Sequence, residues 1–230
     1  MEWNIRRVGT GLRDGLTFVP SVAILGAIFG ASSRAVGISP WVATAMSIFV
    51  WSGSGQFAAL PLWHTNGLLV GLSTLVLSLR FSLMTASMAP RLAGAPLWLR
   101  ALLAFGITDE NYALVISRRS GQMEPDYLAG SFVPIYIPWI AGTAAGAFFA
   151  AQVPAAWTGP LNAVFPIVFL ALAVLCSTTR PAAVVAVLGA ILAVAGRLYL
   201  PGGWYVIVAG LLASLAGPLL ERLLPGEERA

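Results

Sequence analysis

A short acidic stretch, residues 108–112 (Thr-Asp-Glu-Asn-Tyr), lies inside an apolar segment that covers about residues 96–117. A charged side chain at the centre of a bilayer costs about 2.5–3.5 kcal/mol on insertion scales. Two adjacent carboxylates at that depth therefore need a partner charge, a water-filled cavity or a proton. Arg80, near the middle of the apolar run 66–89, is the comparably placed cation. We interpret these charges as markers of a transport pathway through a membrane.

Arg80 carries a permanent charge on a planar fork that suits a carboxylate. It either binds the carboxylate of a substrate or pairs statically with Asp109 or Glu110 and holds two segments together. Adjacent helical residues point about 100° apart, so the two acidic side chains cannot face one spot. An apolar surrounding favours a protonated carboxylate and an arginine favours the charged form. Asp109 and Glu110 are therefore candidate proton-coupling residues, with helix capping plus a structural ion pair as the alternative.

A second polar group interrupts the apolar segment 39–63, where Ser52, Ser54 and Gln56 alternate with glycines. The hydroxyls and the amide could contact the ammonium or the carboxylate of a small substrate, or they could form hydrogen bonds between helices. We expect a half-helix that starts near Gln56 with Ser54 as its N-cap, and such an N-terminus favours an anionic group. Together with Arg80, these three residues are the candidate substrate-binding set.

The composition indicates an integral membrane protein. Of the 230 residues, 58% are hydrophobic and 10% are charged, whereas a soluble domain carries about 25% charged residues. The apolar residues form blocks of about 20, which is the length of a helix that crosses a bilayer. No pattern of alternating strands occurs, so helices are the expected spanning elements. We predict an all-α transmembrane bundle that forms a single permease domain over residues 1–230.

Eight apolar segments are separated by glycines, prolines and polar residues. They cover about residues 14–33, 39–63, 66–89, 96–118, 126–152, 159–177, 181–199 and 202–221. All basic residues are arginines. If the N-terminus is cytoplasmic, eight of them lie on the cytoplasmic side and four on the outer side, with the intramembrane Arg80 not counted. That balance agrees in direction with the positive-inside rule. One re-entrant segment would lower the count, so we predict seven or eight spans, with the second and the fourth segment interrupted.

Three pairs of glycines spaced four residues apart predict close helix packing. The pairs are Gly26 and Gly30, Gly67 and Gly71, and Gly142 and Gly146. The tripeptide Phe-Val-Pro precedes the first pair, at residues 18–20, and the third pair, at residues 132–134. A weak internal repeat is therefore a further hypothesis.

Other kinds of chemistry have weaker support. His64 stands alone at a segment end, as a solvated loop residue or a proton relay, and a metal site needs several ligands. A hydrolase is not expected, because Ser54 and His64 are far apart along one segment and neither a Gly-x-Ser-x-Gly elbow nor a His-Glu-x-x-His motif occurs. We expect no enzyme activity and no cofactor. Cys176 is the single cysteine, and the net charge of +4 is spread over loops rather than forming a nucleic-acid patch.

Six short motifs, in this order, resemble those of the AzlC family, the large subunits of two-component branched-chain amino acid exporters. Leu79 and Phe81 flank Arg80, where that family often carries His or Asn. The motifs are Gly15-Leu16-x-Phe18-x-Pro20, Gly37-Ile38-Ser39-Pro40, Trp51-Ser52-Gly53-Ser54-Gly55-Gln56-Phe57, Leu79-Arg80-Phe81, Thr108-Asp109-Glu110 and Trp139-x-x-Gly142-Thr143-x-x-Gly146.

The resemblance implies a multi-pass permease of the bacterial inner membrane that exports branched-chain or other small neutral amino acids. It also implies that the proton gradient drives export and that a small hydrophobic AzlD-type membrane subunit is the partner. Two alternatives stay open at this point. A channel would need a pore open at both ends, and a structural subunit that does not transport would tolerate the loss of Arg80 and Asp109.

Overall fold

A computed structural model of the protein describes residues 3–92, 94–116, 125–152, 179–200 and 204–223, with positions 163, 167, 170, 174 and 177. These residues form helices with short connections and contain no β-strand, so the all-α prediction is confirmed for this part of the chain. The predicted segment 159–177, with Cys176, lies largely outside it. The chain divides into one unit of Met1–Leu60 and Leu77–Ala155 and another of Pro61–Val76 and Ala156–Ala230. The single permease domain stays a prediction.

The helices are numbered in chain order within the described residues. They are α1 Ile5–Gly15, α2 Val19–Ala35, α3 Pro40–Phe49, α4 Gly53–Ala59, α5 Gly67–Met88, α6 Leu97–Phe105, α7 Asp109–Ile116, α8 Pro125–Phe149, α9 Arg180–Tyr199 and α10 Trp204–Leu223. A single 3₁₀ turn, Leu16–Phe18, joins α1 to α2 without a loop. Both predicted interruptions are present, between α3 and α4 and between α6 and α7.

Among the described residues, four helices are long and apolar enough to cross a membrane. They are Ile5–Ala35, Gly67–Met88, Pro125–Gln152 and Arg180–Tyr199. These helices support the membrane location predicted from composition. The interrupted segments consist of pieces that are each too short to span about 30 Å of hydrocarbon alone.

The continuous helix α1–α2 packs along α8, and glycine makes the approach possible. A Cβ at Gly26 would lie 2.5 Å from the Trp139 carbonyl oxygen, and one at Gly30 would meet the Thr143 carbonyl oxygen. Such contacts are closer than any side chain allows, so the backbones touch directly. Residues later in the sequence of α2 contact residues later in the sequence of α8, so the two helices are parallel.

The contact is reciprocal. Gly142 and Gly146 of α8 lie against the carbonyl oxygens of Ala23 and Ala27 in the same way. Two of the three glycine pairs therefore pack as predicted. For Gly67 and Gly71 the packing stays a prediction, because a Cβ at either position would meet no atom of the described chain within 4 Å.

The parallel arrangement restricts how the chain crosses the membrane between these helices. α2 ends at Ala35 at one end of the pair, and α8 begins at Pro125 at the other end. If this pair spans the bilayer, the chain between those residues crosses an odd number of times. Three helical segments lie in between, namely α3–α4, α5 and α6–α7, which fits one crossing for each.

An apolar cluster in the first unit surrounds the second interruption and connects the end of α5 with α6, α7 and the start of α8. Its buried members are Met88, Leu92, Ala95, Leu99, Leu103, Ile107, Val115, Tyr127 and Leu128. In the second unit, α9 and α10 form an antiparallel hairpin in which Gly196 packs on Tyr205 and Gly189 on Ala213. The interruption at residues 106–108 is thus held in a packed surrounding.

Candidate functional site

Arg80 on α5 contacts both interruptions. Its Nη2 donates to Ser54 Oγ, 3.0 Å away in the first turn of α4. The same nitrogen lies 2.8 Å from Asp109 Oδ2, at the first residue of α7. Arg80 therefore brings together three of the predicted site residues, since it contacts Ser54 and Asp109 from two other segments.

The ion pair is partly open. The side chains of Arg80 and Asp109 are 37% and 43% exposed, respectively, whereas Ser54 is buried. The Phe81 ring lies beside the guanidinium, with its centre 4.9 Å from Arg80 Cζ, a contact that favours the cation. Arg80 Nε is buried and has no hydrogen-bond partner among the described residues. The guanidinium therefore keeps donor capacity for an acceptor that the described chain does not supply.

The first interruption depends on an uncommon backbone conformation. Trp51 has a φ of 47°, a left-handed conformation that bulky residues rarely adopt. Its buried ring packs edge-on against Tyr136, with 4.6 Å between centroids, and this packing holds the strained residue in place. α3 therefore ends before Trp51, and a new helix starts at Gly53.

Ser52 caps α4, so the prediction that Ser54 is the cap of a helix beginning near Gln56 is wrong. Ser52 Oγ accepts from Gly55 N at 3.2 Å and also from the Ser78 hydroxyl at 3.1 Å. Because the cap is two residues earlier than expected, Ser54 is inside the first turn and can reach Arg80. The contacts of Ser52 are with protein groups of α4 and α5.

Gln56 is completely buried, and its amide is bonded at both ends. Oε1 accepts from Trp139 Nε1 at 3.1 Å, and Nε2 donates to Ser47 Oγ at 2.9 Å. Ser47 is in turn hydrogen-bonded to Thr143 at 2.8 Å. This network attaches α4 to α3 and to α8, which fixes the position of Ser54. A direct contact of Gln56 with substrate stays a prediction, and the geometry favours a positioning role.

The second interruption is braced by Asn111 from within α7. Asn111 Oδ1 accepts from Thr108 N at 2.8 Å, and its Nδ2 donates to Gly106 O at 2.5 Å. Thr108 occupies the N-cap position, but its own hydroxyl makes no hydrogen bond to any residue described. Glu110 is half-buried beside Asp109 and has neither a hydrogen bond nor an ion pair with the described chain.

The polar residues that hold the site were missed by the sequence reasoning. Ser47 and Ser78 are each one of several hydroxyl residues in otherwise apolar helices, and Trp139 and Thr143 stood only in a family motif. Hydroxyls of this kind often bond within their own helix, so no local pattern marks them. His64 is exposed and belongs to the other unit. The described residues contain no group of three His, Cys, Asp or Glu side chains that could hold a metal ion.

Apolar spanning helices, two interrupted segments and a charge pair at their junction define a helical membrane protein with an internal polar site. A family model described as "AzlC protein" matches residues 17–153, more than half of the chain. The chain belongs to the AzlC family, a family of membrane transport proteins, which confirms the resemblance. The matched region contains Ser54, Arg80 and Asp109.

A relative from Archaeoglobus fulgidus, described as "Uncharacterized membrane protein", is 29% identical over 118 residues. The match covers 51% of this chain and 51% of the relative, so the chain spans about half the length of the curated relative it matches. That relative supports a membrane location. No solved structure matches the chain.

Proposed function

We propose that this chain is a multi-pass permease that exports branched-chain or other small neutral amino acids across the inner membrane of a bacterial cell. It would cross the membrane seven or eight times, with α3–α4 and α6–α7 as interrupted spans. The observation that carries the proposal is the half-open Arg80 at the junction of both interruptions. Carriers use broken helices at membrane depth to hold substrate.

The substrate's carboxylate would bind Arg80, with the Ser54 hydroxyl beside it and Ser52 and Gln56 holding the half-helix in position. A carboxylate bound at Arg80 Nε would add a second negative charge beside Asp109, which contacts the same guanidinium through Nη2. In the proposed cycle Asp109 takes up a proton when substrate is bound, because two carboxylates beside one cation repel each other. This step would couple export to the proton gradient. Glu110, one residue further on, is the second candidate for the proton.

The proposal includes a small AzlD-type membrane subunit as partner. Family membership supports it, and so does the exposure of the ion pair. Lipid does not stabilise a charged pair that is about two-fifths exposed. A water-filled cavity formed with a second subunit would hydrate the two charged side chains.

The experiment that tests the proposal is leucine accumulation during feeding with a leucine-containing dipeptide. Cells that produce this chain with a candidate small partner are expected to hold less intracellular leucine than cells with neither protein. The Arg80→Gln variant is the matched control and should behave like cells without the chain. Equal accumulation in all three strains would contradict export. Efflux that never saturates with rising leucine would instead favour a channel, and efflux unchanged by Arg80→Gln would favour a structural subunit.

A further inference from the structure

Thr108 carries a buried hydroxyl that the described chain leaves unused. The residue is 8% exposed, and Oγ1 has no hydrogen-bond partner among the residues described. A threonine at this position usually accepts a hydrogen bond from the first turn of its helix. Here Asn111 braces the interruption instead, through Thr108 N and Gly106 O. The hydroxyl of Thr108 is therefore a buried polar group without a partner among the residues described.

The other unmet groups nearby are donors. The first backbone hydrogen bond of α7 runs from Tyr112 N to Thr108 O, so the N–H groups of the preceding first-turn residues have no acceptor within the helix. Arg80 Nε is buried without an acceptor, and the same guanidinium holds Asp109 through Nη2. Asp109, which contacts this guanidinium through Nη2, directly follows Thr108 in the chain. Unmet buried hydrogen-bonding groups in a native structure indicate a missing partner, and here that partner is an acceptor.

We propose that the Thr108 hydroxyl and Arg80 Nε together bind the carboxylate of the transported amino acid. The inference rests on the proposed function and adds a substrate-binding residue to it. A carboxylate has two oxygens, one for the guanidinium N–H and one for the hydroxyl. At the first interruption both ends of the Gln56 amide are bonded to protein groups, and Ser54 Oγ accepts from Arg80 Nη2. In this proposal the second interruption supplies the anchor beside Arg80.

The test is equilibrium binding of radiolabelled L-leucine to the purified full chain. Thr108→Val removes the hydroxyl at nearly constant shape, and Thr108→Ser keeps it. The matched control is Thr44→Val, since the Thr44 hydroxyl donates to Pro40 O within α3 at 2.8 Å. We expect Thr108→Val to weaken leucine binding on the order of tenfold, with Thr108→Ser and Thr44→Val close to wild type. Thr108→Ala is a second hydroxyl-free variant, read in the same way if the valine variant does not purify.

Competition with L-leucinol, which lacks the carboxylate, separates contact from general damage. Wild type and Thr108→Val should bind leucinol equally, because the lost contact is with the missing group. Unchanged leucine binding in both hydroxyl-free variants would overturn the inference. So would an equal loss for leucine and leucinol. If the wild-type chain binds none of leucine, valine and isoleucine saturably, the proposed function itself fails, and this result differs from a failure at Thr108 alone.

Discussion

Arg80 Nη2 lies 2.8 Å from Asp109 Oδ2, so one ion pair joins the later half of α5 to the first residue of α7. The same nitrogen donates to Ser54 at the start of α4. A single guanidinium thus connects the starts of two short helices, each of which follows an interruption. Both contacts are made by Nη2, so the positions of the two half-helices depend on one nitrogen of Arg80.

Replacing Arg80 by Gln is expected to abolish leucine counterflow in reconstituted vesicles while the protein stays folded. The cation that would hold the substrate is lost, whereas a partly exposed ion pair contributes little to stability. Counterflow and gel-filtration profiles check the two parts of this expectation. Arg100→Gln is the control, because Arg100 is an exposed arginine on α6. Wild-type counterflow in the Arg80→Gln protein would remove Arg80 from the site.

Asp109→Asn and Glu110→Gln are expected to differ in how transport depends on pH. Asp109 is paired with Arg80, and in the proposed cycle a substrate carboxylate on the same guanidinium adds a second negative charge beside it. Replacing Glu110 leaves the Arg80–Asp109 ion pair intact. Initial transport rates over a range of pH should become flat for Asp109→Asn and keep the wild-type slope for Glu110→Gln. Identical profiles for the two variants would contradict proton coupling through Asp109.

Gly30→Ala is expected to destabilise the protein by about 1–3 kcal/mol, the usual cost of overpacking. The new Cβ would meet the Thr143 carbonyl oxygen and lie 2.7 Å from Ala147 N, so α2 and α8 must separate. Gly71→Ala is the control with the same chemical change. No described atom lies within 4 Å of its new methyl group, and alanine favours a helix over glycine by about 0.5–1 kcal/mol. Thermal unfolding in detergent measures both, and equal melting temperatures would refute the packing argument.

The class of protein and both interruptions were predictable because the bilayer core limits which residues a spanning segment can contain. Apolar blocks of spanning length and two adjacent carboxylates inside one of them leave few alternatives in lipid. The pairing of Arg80 with Asp109 belongs to the same reasoning, because a buried cation needs an anion. These features follow from local sequence and from solvation alone.

The partners of the polar side chains were not predictable from local sequence. Gln56 bonds to Trp139, 83 residues away, and this contact exists only because α4 packs against α8. Ser52 and Ser54 have equal capping ability, and the left-handed backbone at Trp51 decides between them. Gly30 and Gly71 have the same spacing to a second glycine, yet within the described residues Gly30 packs against α8 and Gly71 meets no atom. Tertiary packing thus decides which residues touch a ligand and which touch protein.

Cysteine labelling tests the parallel arrangement of α2 and α8. In a Cys176→Ala background, Ala35→Cys places a thiol at the end of α2, and Pro125→Cys places one at the first residue of α8. Because the helices are parallel, these positions should lie on opposite faces of the membrane. With a cytoplasmic N-terminus, a thiol reagent that cannot cross the membrane should therefore label only Ala35→Cys in intact cells. Both should label in opened membranes. Labelling of both from outside would mean an even number of crossings between them, which the reciprocal contacts of Gly26 and Gly142 do not permit.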